Sequence, residues 1–156
     1  SEPLNKVELN EKKLIKDLFD TMYHHNGIGL AAVQVGIHKR IIVLDVSKKD
    51  DEKNPLCFIN PVIKKISQKT SIYEEGCLSI PNTFIEIERP KICTISYVDQ
   101  EGAKREMDCD GLLATCIQHE INHLDGKLII DYLSKIKKDL IIKKLSKQKT
   151  SNRVVV

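Results

Sequence analysis

Gln118-His119-Glu120-Ile121-Asn122-His123-Leu124-Asp125-Gly126 sets two histidines four residues apart, with a glutamate next to the first. At about 100° per residue, a four-residue step returns to within about 40° of the same helical face. On a helix both imidazoles therefore point into one small volume, with Glu120 beside them. A divalent metal with a hydrolytic water needs such a set: two nitrogen ligands and a carboxylate to take the water's proton. Leu112, Leu113, Cys116, Ile117 and Ile121 supply an apolar side and Gly126 a stop, so a helix is predicted from Gly111 to about Asp125.

Working outward, Leu14, Ile15, Leu18, Phe19 and Met22 recur at helical spacing and predict a first helix over 11–26, capped by Asn10 and stopped by Gly27. His24 and His25 at its end answer the helix dipole rather than bind metal. The stretch Gly27 to Gly36 is a turn, a tightly packed segment, or a bare backbone that a ligand can approach. It does not fit a phosphate loop, because no Gly-Lys-Ser/Thr ending appears. Arg40 to Val46 is a β-branched strand, Ser47 to Asn54 a surface loop, and shorter strands follow near 56–60, 62–67 and 71–74, punctuated by Pro61. The segment Glu74 to Pro81 interrupts them. Phe84–Ile87 is a strand, and Ile92–Val98 forms a hairpin with 104–109 across Asp99-Gln100-Glu101-Gly102. After Asp131 a last helix runs to about 147, with Leu133, Ile136, Leu140, Ile141 and Leu145 at helical spacing. This order predicts an α+β fold: mixed or antiparallel strands around a central metal-binding helix, an N-terminal helix and a basic C-terminal helix.

A length of 156 residues suits a single domain over 1–156, of which about 134–156 is a basic helix and tail. No apolar run is long enough to cross a bilayer and no signal peptide opens the chain, so residence in the cytoplasm, without a membrane partner, is expected. Five cysteines without framework spacing read as reduced thiols. The net charge of +3 conceals a division: from Lys135 onward eight basic residues face one acid, giving a tail of +7 on a body of −4. That points to a polyanionic partner or to a solvated lysine-rich helix.

Hydrolytic zinc enzymes commonly add a third protein ligand to two histidines. Beyond His123 there is no Glu or His, only Asp125, Asp131 and Asp139, so the third ligand is expected upstream. His38, a cysteine and an acid of the strand region are the candidates. Cys77 is preferred for its Gly-Cys-Leu setting and the metal affinity of a thiolate, with Cys116 a competitor on the same helical side as His119.

Gly27-Ile28-Gly29-Leu30-Ala31-Ala32-Val33-Gln34, Glu75-Gly76-Cys77-Leu78-Ser79 and Gln118 to Leu124 resemble, in order and separation, the three signature motifs of peptide deformylase. The resemblance runs from the first helix to about residue 145. It implies Cys77, His119 and His123 as ligands of one divalent metal, natively Fe(II), with Zn, Ni or Co able to take its place. It implies Glu120 as general base, and Gln34 with the Leu78 backbone N–H as holders of the oxyanion. The substrate would be an N-formyl-methionyl nascent peptide lying beside Ile28, Gly29 and Gly76. Its methionine would enter a pocket near Ile28, Tyr73, Leu112, Thr115, Cys116 and His119, and formate would be released. The ribosome is the polyanion expected for the basic helix, and no DNA partner is expected. Some positions depart from the family pattern: Phe84 stands where an arginine is common, Thr115 and Tyr73 where aliphatic residues are, and an additional N-terminal strand is missing, so that either the sequence is truncated or partly ordered, or the sheet loses an edge and exposes its ladder groups. Glu75 and Arg89 match a family salt bridge. Two other readings compete: a metallopeptidase of another class, and a non-enzymatic metal-stabilised RNA-binding domain. The missing downstream ligand weighs against the first, and the lack of closely paired cysteines against the second.

Overall fold

Ile41-Ile42-Val43-Leu44 has no polar side because both faces of this strand are covered. Ile42 and Leu44 are buried with Ala114, Cys116 and Ile117, and Ile41 and Val43 with Ile15, Leu18 and Met22. A strand sealed on both faces reads as a continuous apolar run. The computed structural model describes residues 1–48 and 51–151. In chain order, helix α1 is Leu9–His24, strand β1 Gly29–Ala31, β2 Ile41–Leu44, β3 Leu56–Ile66, β4 Thr70–Cys77, β5 Ile80–Pro90, β6 Ile92–Val98, β7 Lys104–Asp110, α2 Gly111–Leu124 and α3 Lys135–Ser151. Five strands form one sheet in the order β1-β2-β3-β6-β7, and β4 and β5 form a second, two-stranded one. Among the described residues, the five pairings between these strands are all antiparallel. Helix α1 covers one face of the larger sheet and α2 the other, giving the expected α+β architecture with the His-Glu-x-x-His helix at its centre.

Several expected boundaries move. Helix α1 starts at Leu9, with the Glu8 N–H donating to the Glu11 carboxylate at 3.0 Å, so Asn10 lies inside the first turn. It ends at His24, and the left-handed residue after it is Asn26 (φ 54°) rather than Gly27. Residues 56–66 are one strand, not two. Pro61 is accommodated because the β3–β6 register shifts between Ile59 and Val62 and Asn60 takes φ 50°, its amide gripping both backbone groups of Leu4 at 2.7 Å. The segment 74–81 does not interrupt the strands: β4 runs through Cys77, turns at Leu78-Ser79 and returns at Ile80. Among the described residues, the segment before α1 makes one parallel bridge, Glu2 to Lys39.

Helix α3 begins at Lys135, and its apolar residues do not share one face. Ile141 and Leu145 pack against Ile80, Ile85, Ile87, Ile129 and Ile130, whereas Ile136 and Leu140 are exposed. Five residues turn a helix by about 140°, so Ile136 and Ile141 cannot both face the body. The expected tail beyond Ser151 lies outside the described residues. No helix among the described residues is long and apolar enough to cross a membrane.

Candidate active site

Helix α2 is buried along almost its whole length, and His119 and His123 project from the side facing the β4–β5 hairpin. Their Nε2 atoms lie 3.1 Å apart, and His123 Nε2 is 3.2 Å from Cys77 Sγ. All three donor atoms fall within 4.8 Å of one another. His119 Nδ1 meets Glu75 Oε2 at 2.9 Å, and a carboxylate there fixes the ring with Nδ1–H outward and Nε2 toward the cluster. Glu75 is itself gripped through both oxygens by Arg89, at 2.6 and 2.9 Å, and this pair is buried rather than on the surface. Arg89 also reaches Asn122 at 2.8 Å and the Tyr132 hydroxyl at 3.1 Å.

The electrostatics agree with a cation site. Burial alone would raise the Cys77 thiol, but the His119 and His123 imidazoles override it and bring it down to about 5. Burial likewise works to lower His119, yet Cys77 and Glu75 raise it to about 10. The cluster thus favours one positive charge among its donors. A sulfur and two imidazole nitrogens are a donor set that suits Fe(II), Zn, Co and Ni, so these three residues fit a divalent metal. Glu120 is 5% exposed and its Oε2 has no hydrogen-bond partner among the described residues. Burial pushes its carboxyl up to about 7.

A cleft of about 660 Å³ opens beside this cluster. It is lined by Ile28, Gly29, Gln34, Tyr73, Gly76, Cys77, Leu78, Leu112, Thr115, Cys116, His119 and Glu120, so every expected site residue except His123 borders it. His123 faces a second cleft, where His38 and Arg40 also lie; His38 is outside the donor group, and Asp125 pairs with Arg40 at 2.8 Å. Cys116 is buried on the cleft wall with its thiol raised to about 12 by burial, and it is not a donor. Gln34 sits on the 3-10 turn Ala32–Val35, where its Oε1 accepts the Ala31 N–H at 2.8 Å. Its NH₂ is thereby turned toward Ser79 Oγ (3.0 Å) and Cys77 Sγ (3.7 Å).

The short strand β1 explains the glycines before Gln34. A Cβ on Gly29 would lie 2.6 Å from Glu120 Oε1 and 2.7 Å from Leu44 Cδ2. Gly76 likewise admits the Phe84 ring, 2.8 Å from where its Cβ would be; Phe84 is 67% exposed at the cleft rim. Sequence reasoning missed Ser79, Asn122 and Tyr132. Ser79 and Asn122 at least lie within the quoted motifs, whereas nothing in the sequence marks Tyr132.

Three donors from a strand end and a helix, a buried carboxylate beside them and an open apolar cleft define a metal-dependent hydrolase. The family model described as polypeptide deformylase matches residues 1–139, and the chain belongs to that family. Peptide deformylase of Pelagibacter ubique (strain HTCC1062) is 58% identical over 156 residues, covering 100% of this chain and 90% of that protein. That of Rhizobium meliloti (strain 1021) is 50% identical over 147 residues, 94% of this chain and 84% of that protein. Among solved structures, peptide deformylase from Ehrlichia chaffeensis superposes with a TM-score of 0.93 at 42% identity, covering 99% of this chain and 91% of that one. A structure of the same organism's enzyme in complex with actinonin gives 0.90 at 44% identity, covering 99% and 90%. The chain is a metal-dependent hydrolase that removes the formyl group from the N-terminal formyl-methionine of nascent peptides.

Proposed function

We propose that Cys77, His119 and His123 hold one divalent ion, natively Fe(II), with Zn, Ni or Co able to replace it, and that Glu120 is the general base. The convergence of the three donor atoms beside a buried carboxylate with an unpartnered oxygen carries this reading. When bound, the ion supplies Lewis acidity toward the formyl oxygen and a lowered pKa for water. Glu120 takes a proton from the attacking water at Oε2, the water oxygen bonds to the formyl carbon, and the carbonyl oxygen becomes an oxyanion. Gln34 meets that oxyanion with Nε2–H, already aimed because Oε1 is tied to Ala31, and the Leu78 backbone N–H is the second donor. Glu120 then passes its proton to the amine nitrogen as the C–N bond breaks, leaving formate and a free methionine N-terminus.

The methionine side chain enters the part of the cleft walled by Ile28, Tyr73, Leu112, Thr115, Cys116 and His119, and the peptide runs extended past Gly29 and Gly76. The whole chain acts as one catalytic domain in the cytoplasm. Its basic helix α3 docks on ribosomal RNA, a reading supported by the lysines of Lys135–Ser151 and the +7 tail. Anaerobic incubation with formyl-Met-Ala-Ser and with Met-Ala-Ser tests the reaction. Formate from the first peptide, with all peptide bonds of both intact, is the expected result; cleavage of a peptide bond would overturn it.

A further inference from the structure

Tyr132 ends the 3-10 turn Ile129–Tyr132 and is 39% exposed, yet its hydroxyl belongs to a bond network that reaches the metal-donor cluster. It donates to Asn122 Oδ1 at 2.8 Å and accepts from Arg89 Nη1 at 3.1 Å, while Arg89 Nη1 also donates to Asn122 Oδ1 at 2.8 Å. The three groups form a closed triangle. From it Arg89 holds Glu75 through Nε and Nη2, and Glu75 holds His119 Nδ1. Each corner belongs to a different part of the fold: Asn122 to α2, next to His123; Arg89 to β5, paired with the strand that ends in Cys77; and Tyr132 to the turn after α2.

Tyr132 is itself firmly seated. Ile129 and Ile130 anchor the turn in the apolar cluster with Ile85 and Ile87 of β5. Two cations approach its ring, the Lys127 ammonium 3.8 Å from the centroid and the Arg89 guanidinium at 5.2 Å. An exposed ring could cap this site without a hydroxyl. The hydroxyl's two bonds to groups that brace His119 give it a further role.

We infer that Tyr132 is a positioning residue: by closing the triangle with Arg89 and Asn122, it fixes the hairpin that carries Cys77 against the helix that carries His119 and His123. The inference rests on reading those three residues as the metal donors. Removing a hydrogen-bonding partner behind the ligands typically weakens metal affinity about 10- to 100-fold. The test is Co(II) loading of the full chain, read by the thiolate-to-cobalt and ligand-field absorption bands and by competition with a chelator. Tyr132→Phe, which keeps the ring and removes only the hydroxyl, is expected to release cobalt to about tenfold less chelator and to shift the bands. Asn122→Leu should show the same loss, whereas Asn122→Asp, which keeps an acceptor for both donors, should retain the parent's affinity. Unchanged affinity and bands in Tyr132→Phe would overturn the inference, even if the metal-free variant unfolded more easily. If the parent chain itself showed no thiolate-to-cobalt band, the assignment of Cys77 would fall first.

Discussion

Glu120 is buried with an unpartnered oxygen, which opposes folding and is the kind of strain that accumulates at reacting groups. Its carboxyl titrates at about 7 in the fold against an ordinary 4.5, so the folded state binds the proton more tightly. Its contribution to the stability of the metal-free chain therefore falls as pH rises from about 4.5 to about 7 and is level above that. Glu120→Gln has no such titration, and denaturant unfolding of the metal-free proteins should show its advantage over the parent growing by up to about 3 kcal/mol across that window. Gly29 gives Glu120 its room: Gly29→Ala would place a methyl 2.6 Å from Oε1, and a displaced carboxylate is expected to lower kcat about 100-fold with metal content kept. Gln34→Ala should lower kcat by about 100-fold or more with little change in KM, because its proposed role is to donate to the oxyanion. The residue chemistry of the motifs was legible because side-chain type limits it. The aim of Gln34 was not, since it depends on an Ala31 N–H that no side-chain pattern reveals.

At the scale of elements, helix α2 was the easiest to read, because its apolar spacing and the two histidines obey one period. The strand β1 was hidden by its three small or apolar residues, and the β4–β5 hairpin by its register shift between Gly76 and Cys77. That hairpin presents Cys77 to α2 and is braced by the Arg89–Glu75 pair, with both side chains 5% exposed. Arg89→Met leaves Glu75 buried without its cation, and a loss of about 3–5 kcal/mol in unfolding free energy is expected. Helix α3 was legible as a helix but not in its packing, since Ile141 and Leu145 pack on the body while Ile136 and Leu140 are exposed.

Across the whole molecule, the sequence divides into a +7 tail and a −4 body, and the proposed ribosome docking falls on the tail. Neutralising Lys137, Lys138, Lys143 and Lys144 together should weaken ribosome binding and flatten its salt dependence, with formate release from short peptides unaffected. Lys138 already pairs with Asp131, so the other three carry most of the expected effect. The absence of any Glu or His beyond His123 pointed the search for a third donor upstream, and the fold brings the Cys77 sulfur within 4.8 Å of the His119 and His123 donor atoms; that approach depends on strand pairings that sequence spacing does not encode. The most direct measurement of the central claim compares metal content and turnover of the parent and Glu120→Gln on formyl-Met-Ala-Ser. The expected result is about one equivalent of metal in each, with formate release at least about a thousandfold slower in the variant. A variant that kept its turnover, or that lost its metal along with it, would contradict the role given to Glu120.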